Sequence, residues 1–347
     1  MGLAPLERTG MSMRRFLCVF VGVMTLTIGS ILPAEETPGP RGELLVVVGA
    51  PGEESYVEPF ERTSAAWVKA GKAAGLNTHV IGDETDKAET HVIHREQLQQ
   101  WLTDQHTTGS HLLWLVFVGH GTYDGRQAKI NLVGQDVSAV EMRQWLAPIQ
   151  RPMVIVHGGS ASAPFVNALS ASDRIIVTAT ENGNEINYAR FGERFALAIT
   201  NPDSDIDRDG QISVLEAFVS AAINTEIFYD ENGRLSTEHA LIDDNGDGRG
   251  TPFDWFNGTR LSKQAETEKA QPDGDRARLL SLIPSPEEQA MTDAQRLERA
   301  ALESEVKDLR ARKSELSEEE YYHQLESIFR QLSRVYVPSN DTSVDER

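Results

Sequence analysis

Cysteine is almost missing from this chain. Of 347 residues only Cys18 is one, and it lies in an N-terminal apolar segment. If that segment is removed, the rest of the chain has no thiol and no disulfide, which excludes a cysteine nucleophile and a disulfide framework. Positive charge is also scarce: 33 Lys and Arg face 53 Asp and Glu, a net charge of −20. Such an excess argues against nucleic acid or an anionic membrane surface as partner. It suits a soluble protein, and one that binds a divalent cation. The apolar run at 16–32 follows Arg14-Arg15 and precedes Pro33-Ala34. Positive flank, apolar core and small residues predict a signal peptide over residues 1–34, with an uncleaved membrane anchor as the alternative. Export to the periplasm or the extracellular space is expected, tethered to a membrane by residues 16–32 only if the segment stays.

Residues 35–42 read as a linker, and beyond them strand and helix patterns alternate. Apolar runs at 44–48, 78–81, 112–118, 153–156 and 174–179 predict strands. Helical spacing at 59–74 and 91–105, and a capping box of Ser138 with Glu141, predict helices between them. This order predicts an α/β domain over 43–260, a mostly parallel sheet with helices on both faces. Two consecutive strands end in small polar loops, Gly119-His120-Gly121 and His157-Gly158-Gly159-Ser160. Chemistry in such sheets gathers at the carboxyl ends of the strands. The two loops are therefore expected to face each other across a cleft, with His120 at its edge. His157 is read as a partly exposed histidine with a backbone partner, in preference to a base or a metal ligand.

Past Thr200 the residues at 205–216 match the EF-hand loop: Asp205, Asp207, Asp209, Gln211, Ser213 and Glu216, with Gly210 in sixth place. Calcium takes six to eight oxygens, and the glycine lets the loop turn around it. Calcium is thus the expected cofactor, and no organic cofactor is. A second acidic loop from Asp243 to Gly248 repeats the first half of the pattern, then departs at Gly250 and Pro252. It reads as an ordinary turn rather than a second site. Residues 261–290 read as a linker. Capping boxes at Thr292/Gln295 and Ser317/Glu320 start two amphipathic helices within 291–336, a helical hairpin or coiled coil. Residues 337–347 read as a disordered tail. The helices either pack back on the domain or support self-association.

The pair of loops resembles the caspase–legumain superfamily of cysteine peptidases, with legumain-like relatives the closer analogy. Residues 116–121 (VFVGHG) look like its histidine block, and 154–165 (VIVHGGSASAPF) like its cysteine block. The likeness spans roughly residues 43–230 and implies that His120 stands at the catalytic histidine. It implies further that Ser160 takes the nucleophile position, degenerate here because the thiol is missing. Gly121 and Ser160 amides would line the oxyanion hole, and Ala163 replaces a glycine of the pattern. A serine hydroxyl needs a well-placed base, and no Asp or Glu neighbours His120 or Ser160 in sequence. The resemblance therefore implies an inactive peptidase-like domain that binds a peptide or protein in its cleft. The alternative is a serine-dependent hydrolase using Ser160 and His120, or Ser162 in a shifted register.

Overall fold

A computed structural model describes residues 42–82, 93–105, 111–263 and 272–336. The expected signal peptide, most of the 35–42 linker and the 337–347 tail lie outside these residues. In chain order the elements are β1 (Gly42–Val48), α1 (Val57–Ala73), β2 (Asn77–Ile81), α2 (His94–Thr103) and β3 (Leu112–Val118). There follow β4 (Gly121–Tyr123), β5 (Ala128–Ile130), β6 (Val137–Ser138), α3 (Ala139–Leu146), β7 (Met153–His157), α4 (Pro164–Leu169) and β8 (Arg174–Thr178). The chain continues through α5 (Phe191–Ala198), α6 (Val214–Glu231), β9 (Leu241–Asp243), β10 (Thr251–Pro252), α7 (Pro286–Ala290), α8 (Asp293–Ala311) and α9 (Glu318–Tyr336).

Seven strands form the main sheet in the order β10-β9-β8-β7-β3-β1-β2. The five from β2 to β8 run parallel, and β9 and β10 close one edge antiparallel. Alternate residues of each strand belong to two separate cores. Leu44, Val46, Trp114, Val116, Val154 and Val156 pack under Phe60 and Trp67 of α1, Phe195 of α5 and Phe218 of α6. Leu45, Val47, Leu113, Leu115 and Ile155 pack on the other face under Leu98 of α2, Met142 of α3 and Phe165 of α4. The run at 112–118 is apolar throughout because both faces of β3 are covered. The expected mostly parallel sheet with helices on both faces is what the chain forms.

Three features were not expected. A small antiparallel sheet, β4-β5-β6, grows out of the loop after β3. Its turn chemistry is short and polar, and no periodic apolar run announces it. The antiparallel β9 and β10 are likewise only three and two residues long. Part of the expected linker, 272–290, is instead folded onto the domain: Ala277 and Leu282 are buried in the α1-side core. Its Leu280 and Ala277 carbonyls accept the Val214 and Leu215 amides at 2.8 and 3.1 Å, so it holds the first turn of α6. At the C-terminus α8 and α9 form an antiparallel pair with its own core of Leu302, Val306, Leu309, Tyr321, Ile328 and Val335. Gln295 Nε2, near the start of α8, donates to the Val335 carbonyl near the end of α9 at 3.2 Å. Among the described residues no helix is long and apolar enough to cross a membrane.

Candidate functional site

His120 leaves the carboxyl end of β3, the middle one of the five parallel strands, and stands in an aromatic box. Tyr56 meets its ring edge-on at 4.6 Å, Phe60 at 5.2 Å and Tyr188 at 5.8 Å between centroids. Burial among these rings pulls the imidazole below its usual value of 6.5, against a hydrogen bond to the Pro51 backbone and the nearby Glu53 charge. No carboxylate hydrogen-bonds to the ring among the described residues. The group that orients it is a peptide group, which cannot stabilise an imidazolium as an aspartate does.

Ser160 is buried and takes no part with His120 through a hydrogen bond. Its Oγ donates to the Gly121 carbonyl at 3.1 Å and accepts from the Gly121 amide at 3.2 Å. One hydroxyl thus uses its only proton, and fills the amide expected in the oxyanion hole. The two loops touch backbone to backbone instead of facing across a gap. A Cβ at Gly121 would stand 2.3 Å from the Ser160 carbonyl oxygen, and one at Gly159 would stand 2.4 Å from that of Gly119. Glycine at both positions is what permits this approach. Ala161, next in line, is held at φ 52°, the left-handed region that costs an alanine about 1 kcal/mol. Its amide donates to the Glu185 carbonyl at 2.8 Å, which fixes the turn.

Two further polar side chains of these loops are structural. Ser162 Oγ accepts from the Ala179 and Thr180 amides at 3.0 and 3.2 Å and meets Thr180 Oγ1 at 3.2 Å, tying the loop to the end of β8. His157 is buried at 1% exposure, against the partly exposed position expected. Its Nδ1 accepts from the Gly159 amide at 3.2 Å, and its Nε2 has no partner. Packed on Phe117 and Phe165, it is neutral, with burial driving it down to about 3. The cavity beside Gly119, lined by Phe60, Thr63, Val116 and Tyr188, is about 20 Å³, room for a single water. A wider groove of about 360 Å³ runs between α4, Glu181–Gly183 and Gly248–Gly250.

The acidic loop folds on itself ahead of α6. Asp205 accepts the Asp209 and Gly210 amides at 3.1 and 3.0 Å, and Asp209 accepts the Gln211 amide at 3.0 Å. Glu216 is buried and bridges the loop: Oε1 accepts the Ile206 and Asp207 amides, and Oε2 accepts the Ser213 amide and hydroxyl. Asp205, Asp207 and Asp209 bring one oxygen each to within 4.8 Å of the others. Burial, with Glu216 and Asp209 nearby, raises Asp207 to about 6, as expected where carboxylates face one another without a cation. This donor set is all oxygen and fits calcium. Of the six residues expected there, Gln211 turns its side chain to Asp209 and to the Ser285 amide, leaving its carbonyl as the ligand atom an EF-hand would use.

Sequence reading missed the aromatic box, because Tyr56 and Tyr188 reach His120 only through the fold. It also missed the Glu185–His239 pair at 2.5 Å, whose members are 54 residues apart. No protein-family model matches the chain, and no curated protein does. Among solved structures it is similar to the Drosophila initiator caspase Dronc, with 13% identity, 62% of this chain and 83% of that one covered, and a TM-score of 0.38. It is similar also to caspase-1 of Spodoptera frugiperda, with 11% identity, coverage of 60% and 88%, and a TM-score of 0.39. Likeness at this level assigns no role to any residue.

Proposed function

We propose that this chain is an exported, catalytically inactive peptidase-like protein of caspase–legumain type that binds a peptide or protein, with calcium held at 205–216. The carrying observation is the Ser160 hydroxyl, whose proton lies on the Gly121 carbonyl and whose oxygen occupies the Gly121 amide. Serine catalysis needs that proton on a base and that amide free for the oxyanion. Both are engaged with each other. His120, oriented by the Pro51 backbone, has no carboxylate behind it to hold an imidazolium. Loss of a nucleophile costs about 10⁶-fold in a serine protease, so no physiologically useful turnover is expected. The export reading rests on residues 1–34, and self-association through α8 and α9 remains part of the same proposal.

Two experiments test it. The chain lacking residues 1–34 is incubated with a mixed peptide library and calcium beside Ser160→Ala, with cleavage read by mass spectrometry. Equal, background cleavage in both is expected; cleavage lost in the variant would establish the serine hydrolase instead. For calcium, isothermal titration should show binding that Asp205→Ala and Glu216→Ala abolish. Unchanged titration in both variants removes the assignment.

A further inference from the structure

α9 carries more apolar surface than α8 covers. Tyr321, Ile328 and Val335, spaced by seven, are 6, 8 and 4% exposed and form one seam against α8. One position further on, Tyr322, Phe329 and Tyr336 repeat the spacing, and they stand 52, 47 and 47% exposed. Leu325 and Leu332, half-buried, lie between the two sets. Seven residues make about two helical turns, so each trio forms a line along the helix, and the two lines lie about 100° apart. One apolar seam needs one neighbouring helix. A second seam at heptad spacing is the pattern of a helix that packs against two.

α8 meets the domain on another side. Its Arg299 is buried in an ion pair with Glu288 of α7, and Arg296 donates to the Glu288 carbonyl at 3.2 Å. Tyr336 keeps its hydroxyl beside Arg299 at that junction. Phe329 and Tyr322 follow along the line with about half of their surface in solvent. Aromatic side chains lined up in this way mark a contact surface, where scattered single ones do not.

The charges on α9 say what would cover the line. Glu318, Glu319, Glu320 and Glu326 occupy its first half, and beyond them up to Tyr336 come only Arg330 and Arg334. An antiparallel second α9 sets each acidic half against a basic half and also opposes the helix dipoles. A parallel copy would set like against like. The line matches itself as well. With a two-fold axis at Phe329, Tyr322 of one copy falls level with Tyr336 of the other, and Glu326 falls between Arg330 and Arg334. Glu326 and Arg330 pair within the helix, but with side chains 61 and 73% exposed, and such a pair holds them only weakly. The chain as a whole carries −20, which opposes association of copies in any orientation that lacks this match.

We propose that a second copy of this chain covers the exposed line of α9, by antiparallel α9–α9 packing centred on Phe329, so that two hairpins form a four-helix bundle. The proposal rests on the reading that α8 and α9 support self-association, and it names the face, the residues and the orientation.

Sedimentation equilibrium on the chain lacking residues 1–34 tests the face. A monomer–dimer equilibrium is expected, weakened about a hundredfold by Phe329→Glu with the circular dichroism unchanged. Tyr322→Glu is the second variant, in case the first disturbs the hairpin. Dimer of full strength in both variants overturns the proposed face and leaves self-association through another surface standing. A monomer at every concentration overturns both, and the line is then open to a helix of another protein. Orientation is read by cross-linking, since without Cys18 an introduced thiol is the only one in the chain. Tyr322→Cys and Tyr336→Cys should form a disulfide when mixed and neither should do so alone. Disulfide formed by each variant alone would show parallel pairing and overturn the antiparallel match.

Discussion

The loops at the carboxyl ends of β3 and β7 and the two acidic loops use polar side chains in opposite ways. Around His120 the polar groups close on one another: Ser160 on Gly121, Ser162 on Thr180. In the first acidic loop Asp205, Asp207 and Asp209 bring carboxylate oxygens within 4.8 Å of one another, and burial is the largest cause that raises Asp207 to about 6; in the second, burial raises Asp273 to about 7. Ser160 and Ser162 close their hydrogen bonds within the chain, while His157 Nε2 beside them is left without a partner. Carboxylates that face one another are eased by a cation, and this contrast is what the proposals of catalytic silence and of calcium binding rest on.

The largest effect that would break this contrast is steric. Gly121→Ala puts a methyl 2.3 Å from the Ser160 carbonyl and should cost about 3 kcal/mol or more in urea unfolding. A near-neutral variant would mean that the two loops are not in contact. Calcium comes next: at a hundredfold excess over its Kd, one bound ion should add about 2.7 kcal/mol, read as a rise in melting temperature that EDTA reverses. Flat melting with and without calcium would erase the distinction between the regions.

Protonation sharpens it. His157 is neutral when folded, depressed by burial to about 3 from 6.5, so the unfolded chain binds its proton first as pH falls. Its contribution is complete above pH 6.5 and is lost on acidification, by about 2 kcal/mol between pH 6.5 and pH 5. Comparing the unaltered chain with His157→Phe across that window isolates this slope, and parallel curves would contradict the buried position. Ser160→Ala should then cost about 1.5 kcal/mol, because it leaves the Gly121 amide unpaired. Measured stability equal to the unaltered chain would mean that the hydroxyl is not committed there. Smallest of all, Ala161→Gly should stabilise by about 0.5 kcal/mol by relieving the left-handed alanine, and a loss would place that residue in ordinary backbone.

Much of the frame was legible in advance. The strand at 112–118 was bounded to the residue because it is apolar on both faces and stopped by Gly119. The capping boxes expected at Ser138 and Thr292 both form, since each needs only four consecutive residues to close, and at Ser317 the hydroxyl accepts the Glu320 amide at 3.2 Å. The edge strands and the meander β4-β5-β6 were not legible. Two or three residues carry no period, and their pairing partners lie elsewhere in the chain. The segment at 272–290 misled for a related reason: its proline and charged residues read as linker, while its packing depends on Asp244 and on the start of α6.

The sequence alone determined the alternation of strand and helix, the placement of His120 and Ser160 at neighbouring strand ends, the want of a thiol beyond Cys18 and the oxygen-rich loop at 205–216. These depend on local pattern, composition and spacing, which the chain carries whatever its partners. Tertiary structure decided how those residues are used. It put the Ser160 hydroxyl on Gly121 instead of on His120, boxed that histidine with Tyr56 and Tyr188, buried His157, and brought the Asp273 carboxylate to the Asp244 and Asn245 amides. Each of these is a contact between residues far apart in sequence, and only packing sets such distances.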